Sequence, residues 1–318
     1  MMTLLEFKEK LRQTYTRNEI YINAALKFLA VLIALCAIGN KIGYMSALKS
    51  IPVMLIISLI SAFLPSGLIL IIVCGIIVAH LYALSLELSV IVLLILLIMF
   101  LIYFRFSPND SIVLILTPVL FILKIPYLVP VCLGLVSTPL SIVSTAFGVV
   151  LSFVMEYASQ NSAAISNFSS EEVVDKINYI VTNMLGNKEM YLYIVAFAIV
   201  LLAVYAIRRM SVNYSWQIAI LCGGIINLII FIIGIIAFNI STVSIGMLIL
   251  GTLLSMLISY IVNFFVFSVD YSRTEHTQFE DDDYYYYVKA VPKVSIAAPK
   301  VNVKKINAGK AKRHKARR

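Results

Sequence analysis

Long apolar runs, separated by short polar breaks, occupy most of the chain. A helix that crosses the hydrocarbon core of a bilayer needs about 20 consecutive apolar residues. Six runs approach or exceed that length, and each predicts a transmembrane helix. They are 24–39 with its flanks, 88–104, 140–158, 191–207, 217–238 and 243–267. This pattern predicts an all-α, polytopic transmembrane protein.

Two further apolar regions, 50–84 and 111–137, are interrupted by proline. The first contains Pro65 and the second contains Pro126, each followed by another apolar run. Because proline removes a helix hydrogen bond, each region predicts a helical hairpin instead of one straight span. Irregular backbone at membrane depth persists only where protein or a water-filled cavity surrounds it. Each hairpin therefore either dips partway into the membrane or crosses it twice.

The two proline-broken regions also resemble each other in sequence. A shift of 61 positions aligns Ser50 with Ser111 and Pro65 with Pro126. Units 46–104 and 107–158 would then lie in the membrane with opposite orientations. Inverted repeats with discontinuous helices are typical of secondary transporters. Apolar sequence aligns easily with itself, so an inverted repeat and a chance match both stay open.

The polar breaks divide the chain into five segments. Residues 1–23 predict an amphipathic helix at the membrane interface, since apolar residues recur there on one helical face. Residues 24–158 form the first membrane region. Residues 159–190 form an extracytoplasmic loop that contains a second amphipathic helix. Residues 191–268 add three spans, and 269–318 form a charged cytoplasmic tail.

Charge is scarce in the apolar regions and concentrated at the two ends. The chain is 61% hydrophobic and 13% charged, with a net charge of +9, whereas soluble proteins carry about 25% charged residues. The basic ends, Arg105 and Arg208 all reach the cytoplasm if both termini lie there, as the positive-inside rule favours. We therefore predict a multi-pass protein of the cell membrane, and the abundance of Ile, Lys, Asn and Tyr favours a bacterial source.

The basic ends also predict a partner. Lysine and arginine clusters next to membrane spans bind anionic lipid head groups. Nucleic acid uses the same residue types, but a chain dominated by membrane spans favours the lipid surface over nucleic acid.

Lys124 is the first candidate for a functional role. It falls at the turn of the second hairpin, and a charge at membrane depth is costly unless it is paired or lines a pathway. The hydroxyls of Thr117, Ser137, Thr138 and Ser141 occupy the same region, and we predict a pathway for an anionic substrate from these five residues. If both arms cross the membrane, Lys124 instead marks an aqueous loop. The hydroxyls then serve helix packing.

The tail contains a second candidate site, in which acidic residues precede tyrosines. The residues concerned are Asp281, Asp282, Asp283, Tyr284, Tyr285, Tyr286 and Tyr287. Alternating apolar and polar residues follow, which suits an extended segment that adds to the sheet edge of a partner. Residues 275–306 therefore predict a docking segment for a cytosolic protein. A solvated tail with a membrane-bound basic end is the alternative.

No catalytic or cofactor motif accompanies these features. The sequence lacks a GxxxxGK[ST] phosphate loop, an HExxH motif and a GxSxG motif, so we predict no enzyme, no cofactor and no metal site. The predicted function is permease-type transport, alone or as the membrane subunit of a larger transporter. The alternative is a non-transporting membrane scaffold that recruits a cytosolic or envelope-assembly partner through its tail.

Overall fold

The computed structural model of the protein describes residues 4–168, 173–266 and 275–290, and these are almost entirely helical. The helices are α1 (Leu4–Arg17), α2 (Glu19–Ile42), α3 (Ser46–Lys49), α4 (Ile51–Ser61), α5 (Ser66–Leu84), α6 (Leu86–Phe106), α7 (Ser111–Ile122), α8 (Leu128–Val136), α9 (Ile142–Gln160), α10 (Ser162–Asn167), α11 (Val173–Leu185), α12 (Lys188–Arg208), α13 (Ser215–Phe238) and α14 (Ile245–Val266). The strands are β1 (Glu275–Glu280) and β2 (Tyr285–Ala290). The predicted all-α class is confirmed.

Seven helical segments among the described residues are long and apolar enough to cross a membrane. They contain α2, α5, α6, α9, α12, α13 and α14. The protein is therefore a multi-pass membrane protein. The segment absent from the six predicted spans is α5, which runs for 19 residues directly after Pro65.

Local chemistry sets several of the helix boundaries. Pro65 is the N-cap residue of α5, a position where its missing N–H costs nothing because the first turn has no intrahelical acceptor. The side chain of Asn187 accepts hydrogen bonds from the backbone N–H groups of Glu189 and Met190, at 2.9 and 3.3 Å. That cap separates the amphipathic α11 from the apolar α12.

Both proline-broken regions form helical hairpins, but the two hairpins differ. In the first, an 11-residue α4 packs on α2 and the 19-residue α5 packs on α6. In the second, the 12-residue α7 packs on α9, and the nine-residue α8 packs on α12 and α14. The 61-residue shift thus aligns α4 with α7, which have similar lengths and both pack on α2, and α5 with α8, which differ in length and in their main neighbours.

Among the described residues, Lys8, Arg105 and Arg208, all used to predict the topology, share one end of the bundle. The hydroxyl groups of Tyr103 and Ser111, 2.7 Å apart, join the end of α6 near Arg105 to the start of α7. Arg208 reaches the far end of α8, and Lys8 of α1 donates to the carbonyl of Phe264 near the end of α14. Which membrane face this end adopts stays a prediction.

The amphipathic α11 packs across the opposite end of the bundle. Ile180 and Met184 are buried under it, and the Lys176 ammonium lies 2.8 Å from the Glu87 carboxylate at the start of α6. Apolar burial and one ion pair therefore fix α11 in place.

The described part of the tail is a two-stranded antiparallel hairpin. Strands β1 and β2 pair from Glu275 opposite Ala290 to Glu280 opposite Tyr285. Residues 281–284 form the turn. The predicted docking segment extends to 306, and its part beyond 290, like the basic end of the tail, lies outside the described residues.

Candidate functional site

The turn between α7 and α8 is the tip of the second hairpin, and Lys124 determines its geometry. Lys124 has a left-handed backbone, with φ of 63°. The N–H of Ile125 donates to the carbonyl of Leu120 at 3.0 Å, and the N–H of Lys124 donates to the carbonyl of Phe121 at 3.1 Å. This is a Schellman motif, which ends a helix at a left-handed residue. Pro126 follows and prevents the helix from continuing.

This tip packs closely against three longer helices, α12, α13 and α14. The Tyr127 ring lies 6.2 Å from the Tyr193 ring of α12 and 5.3 Å from the Phe231 ring of α13, between centroids. On α14, a Cβ added to Gly251 would lie 2.8 Å from the Lys124 carbonyl oxygen and 2.9 Å from the Tyr127 ring. Glycine at this position lets the backbone of the tip touch α14 directly.

The tip lies well inside the ends of these helices. Gly251 follows the start of α14 by six residues, Tyr193 follows the start of α12 by five, and Phe231 precedes the end of α13 by seven. At 1.5 Å per residue, the tip lies about 8–10 Å below those ends. The ends of α12, α13 and α14 therefore extend beyond the tip and surround it.

A cavity of about 910 Å³ occupies the space above the tip, and we call it the vestibule. Its floor is aromatic, formed by Phe121, Tyr127, Phe153 and Tyr193. The Tyr127 and Tyr193 hydroxyl oxygens lie 3.3 Å apart. The walls come from the end of α2, from α9, from the start of α12 and from the loop between α13 and α14.

Five charged residues line the vestibule. The Lys41 ammonium lies 2.6 Å from a carboxylate oxygen of Glu156, and Glu189 accepts a hydrogen bond from the Thr242 hydroxyl at 2.5 Å. Lys124 and Lys188 are the other two. Within the described ranges, neither of these lysine side chains has a hydrogen-bond or ion-pair partner. The vestibule thus contains two cationic groups that form no hydrogen bond or close ion pair with the described residues, and the Glu189 carboxylate acts on Lys124 through its charge alone.

The other end of the same hairpin holds a closed polar cluster, which we call the feet. The Asp110 carboxylate accepts hydrogen bonds from the hydroxyls of Ser137 and Ser144, at 3.2 and 3.1 Å. The Ser137 hydroxyl also lies 2.5 Å from that of Ser141. Arg208 donates to the carbonyl of Ser137 at 2.6 Å and to the carbonyl of Leu135. These bonds hold the start of α7 beside the end of α8.

The structure separates the five residues of the predicted pathway. Lys124 lines the vestibule, whereas Ser137 and Ser141 belong to the feet. Thr138 follows Ser137, and its carbonyl accepts from the N–H of Ser141. Thr117 is buried on α7, between the tip and the feet. Its hydroxyl donates to the Val113 carbonyl of its own helix at 2.8 Å. Thr117 also packs directly against Gly148 of α9, where an added Cβ would lie 2.7 Å from the Thr117 Cβ, so its role is helix packing.

Sequence reasoning missed the vestibule's acidic residues and its aromatic floor. Glu156 and Glu189 lie near helix ends and resemble ordinary interfacial residues in the sequence. Tyr127, Phe153 and Tyr193 sit within apolar runs, where aromatic residues usually indicate core packing. No local signal joins residues as far apart in the sequence as Lys41, Tyr127 and Glu189.

In the tail, Asp281 organises the turn of the β-hairpin. Its carboxylate accepts from the N–H groups of Asp283 and Tyr284, at 3.0 and 2.7 Å, and from the Tyr286 hydroxyl at 2.8 Å. The hydroxyl bond, followed by the two backbone bonds, lowers the pKa of Asp281 below its ordinary value. Asp281 is therefore a turn residue, and its bonds stay within the hairpin.

The remaining aromatic residues of the tail hairpin are open to solvent. Phe279 stacks on Tyr286, with ring centroids 4.9 Å apart. Tyr285 and Tyr287 are 68% and 79% exposed on the other face. Within the described residues, no group of three or more His, Cys, Asp or Glu side chains is placed to hold a metal ion.

Comparison of the chain with protein-family models, with curated proteins and with solved structures found no match. The architecture alone classifies the chain, as a multi-pass α-helical membrane protein whose second hairpin ends beneath a charged vestibule.

Proposed function

We propose that the chain is a permease-type transport protein, acting alone or as the membrane subunit of a larger transporter. The observation that carries the proposal is Lys124, which has no hydrogen-bond or close ion-pair partner among the described residues and lies at the tip of a short helical hairpin, beneath an open vestibule. Discontinuous helices that end inside a bundle are typical of the binding sites of secondary transporters.

The lengths of the hairpin arms support a re-entrant hairpin. At 1.5 Å per residue, the 12 residues of α7 and the nine of α8 extend about 18 and 14 Å. The hydrocarbon core is about 30 Å thick. Since the Ser137 hydroxyl bonds Asp110, both arms also start from the same end of the bundle. A hairpin of this kind reaches partway and returns.

The composition of the vestibule suggests an organic anion as the substrate. Lys124 and Lys188 offer positive charge, and a cation at depth favours an anionic partner. Phe121, Tyr127 and Tyr193 offer an apolar floor with two hydroxyl groups. The volume of about 910 Å³ suits a molecule with a sizeable carbon skeleton. An anionic group would contact the lysines while its carbon skeleton rests on the aromatic rings.

Cysteine labelling tests the depth of Lys124. Lys124→Cys and Lys188→Cys are each made in a background without the native cysteines, and sealed vesicles of both orientations receive a membrane-impermeant maleimide. Lys188 is the matched control because it lines the same vestibule at the start of α12. We expect both positions to label from one side only, with the cysteine at position 124 reacting more slowly.

A panel of organic anions then tests binding in the vestibule. An anion that the vestibule binds should slow labelling of a Ser244→Cys variant, because Ser244 lines the vestibule and both lysines are kept. Uptake of the same anion into proteoliposomes should require Lys124. If Lys124→Cys labels as fast as Lys188→Cys, and no anion protects Ser244→Cys, position 124 lies in an ordinary loop. That result would remove the main support for transport.

A second candidate function rests on the tail hairpin. Tyr285 and Tyr287 expose their rings on one face, and within the described residues β1 and β2 pair only with each other, so each has a free sheet edge. Such edges accept a strand from another protein. The chain would then be a scaffold that recruits a cytosolic or envelope-assembly partner.

Deletion of 275–318 separates the two functions. A permease that acts alone should keep its uptake activity, because the vestibule lies wholly within α2 to α14. A scaffold should lose its partner and its cellular role. As a finer variant, Tyr285→Ser with Tyr287→Ser should abolish partner binding, whereas Asp282→Asn in the turn should leave it intact.

A further inference from the structure

One face of α14 is polar although the helix lies among apolar neighbours. Thr252, Ser255, Ser259 and Asn263 recur at helical spacing, and all four are buried. This face packs against α8 and α13. The Ser259 hydroxyl lies 3.5 Å from the Cys132 thiol of α8. We call the junction of α8, α13 and α14 the polar seam.

Asn227 is a residue of the seam whose polar atoms are not all satisfied. It lies near the middle of α13, 12 residues after Ser215, and it is fully buried. Its side-chain nitrogen donates to the Thr252 hydroxyl at 3.0 Å. Its side-chain oxygen has no hydrogen-bond partner among the described residues. The packing of α13 on α14 accounts for the hydrogen bond of the side-chain nitrogen. A buried acceptor without a partner is costly, so the side-chain oxygen requires a further explanation.

Asn227 and Thr252 are close in sequence to residues that contact the tip of the α7–α8 hairpin. Gly251, which touches the Lys124 carbonyl and the Tyr127 ring, directly precedes Thr252. Phe231 lies one turn after Asn227 on α13 and packs on Tyr127. Tyr127 therefore lines the vestibule and also contacts Gly251 and Phe231, which neighbour the seam.

We propose that Asn227, Thr252 and Ser255 bind a monovalent cation of the size of sodium beneath the vestibule. The ligands would be the amide oxygen of Asn227, the two hydroxyl oxygens and the carbonyl of Gly251. As the coupling ion of a permease, this cation extends the proposed function and in that role depends on it. A cation supplies what the buried amide oxygen lacks, a positively charged partner.

The chemistry of the seam selects a singly charged ion. Calcium and magnesium require carboxylate ligands, and the polar side chains of the seam are neutral amides, hydroxyls and a thiol. Several neutral oxygens compensate for one positive charge more readily than for two. Coupling ions in transporters with discontinuous helices bind near the membrane midplane, beside the helix break. Asn227 lies at the middle of its span, and the break at Lys124 is adjacent.

Thermal unfolding of the purified full-length protein tests this site. Unfolding is measured in detergent over a series of sodium chloride concentrations, with choline chloride keeping the ionic strength constant. A ligand that binds only the folded state raises Tm in a saturable way. We expect such a rise with sodium and no rise with choline alone. Tracer sodium binding on the same samples gives a second readout.

Matched serine variants assign the effect to the seam. Ser255→Ala removes a proposed ligand, and Ser58→Ala in α4 is its control. Both serines are fully buried, and both donate to the carbonyl four residues earlier at 2.7 Å. Ser255→Ala should weaken the apparent sodium affinity by about tenfold, the equivalent of one lost contact of about 1.4 kcal/mol. Ser58→Ala should leave it unchanged.

Thr252→Val keeps the shape of the side chain and should abolish the sodium response while the protein stays folded in choline. The cation site is overturned if sodium and choline act alike on the unmodified protein, or if Thr252→Val and Ser255→Ala keep the full response. Because sodium binding is measured without substrate, a failure of anion uptake with sodium binding intact would count against the permease and not against the site.

Discussion

The feet and the tip of the α7–α8 hairpin are both polar, but within the described residues the charged side chains at the feet are hydrogen-bonded, whereas Lys124 at the tip is not. At the feet, Asp110 and Arg208 are bonded to hydroxyl or carbonyl groups of α8, α9 and the turn between them. At the tip, Lys124 has no such partner among the described residues and faces a cavity of about 910 Å³. The same hairpin thus has a closed end and an open end.

This difference separates groups that hold the fold from groups that are available to a ligand. The carbonyls at the C-terminal end of a helix have no intrahelical partner, and the Arg208 guanidinium provides donors for two of them. The Lys124 side chain provides no comparable donor, although its left-handed backbone completes the Schellman motif that ends α7. A charged side chain at depth that takes no part in holding the fold is a candidate for function.

The largest expected effect is on the feet. Arg208→Ala should lower the free energy of unfolding by about 2–3 kcal/mol, because it leaves the carbonyls of Leu135 and Ser137, at the end of α8, without their charged donor. Thermal unfolding in detergent measures the loss. Arg209→Ala is the control: Arg209 is exposed, its guanidinium bonds the Tyr205 hydroxyl at 2.7 Å, and such surface contacts contribute less than about 1 kcal/mol. Equal effects of the two variants would contradict the anchoring role of the feet.

The next largest effect concerns the seat of the tip on α14. Gly251→Ala should cost about 1–3 kcal/mol, because the added methyl group would displace the Lys124 carbonyl and the Tyr127 ring. It should also change the rate at which a cysteine at position 124 is labelled. Gly246→Ala, on the same helix, is the matched control because the nearest atom to its Cβ is 3.9 Å away. If both variants behave alike, the tip does not rest on α14.

A smaller and opposite effect is expected at Lys124 itself. Lys124→Gly relieves the left-handed strain, which should stabilise the fold by up to about 1 kcal/mol, yet it removes the charge and should abolish anion uptake. Lys124→Ala should lose uptake without the gain in stability. A clear loss of stability in Lys124→Gly would mean that the lysine is structural, like Arg208, and the contrast between the two ends would disappear.

How much the sequence predicts depends on whether the information is local. Apolar run length predicts most of the spans, because each span must satisfy its own backbone hydrogen bonds in lipid. From the sequence, Pro65 is predicted to break a hairpin. In the structure it is the N-cap residue of α5, a full-length helix. The turn at Lys124 is local as well, since the proline that follows enforces it.

The composition of the site is not local, so the sequence predicts it only in part. Lys124, Ser137 and Ser141 are close in sequence, and proximity alone groups them. The nine residues of α8 separate the lysine from the two serines by about 14 Å. In contrast, Glu156 and Glu189 reach the vestibule only through the packing of α9 and α12 against the tip. Long-range packing of this kind leaves no signal in a single sequence.

The tail hairpin contains a third polar cluster, around Asp281, which is exposed to water. The smallest of the predicted effects is expected there. The Asp281 carboxylate accepts three hydrogen bonds, so it is bonded like Asp110 at the feet, but it is exposed to solvent. Its pKa is lowered in the folded hairpin, so the unfolded hairpin binds a proton more readily. The stabilisation by Asp281 is therefore complete above the ordinary aspartate pKa of about 3.9. It is lost as the pH falls through the lower folded value.

Near-ultraviolet circular dichroism of the tyrosines, or their NMR signals, should accordingly stay constant from neutral pH to about pH 5 and then decrease on acidification. Asp281→Asn should weaken the signal at neutral pH, because an amide is a weaker acceptor than a carboxylate for the Tyr286 hydroxyl. Asp282→Asn, in the same turn, should leave both the signal and its pH dependence unchanged. If the two variants titrate alike, net charge governs the tail hairpin, and its polar cluster differs in kind from the feet.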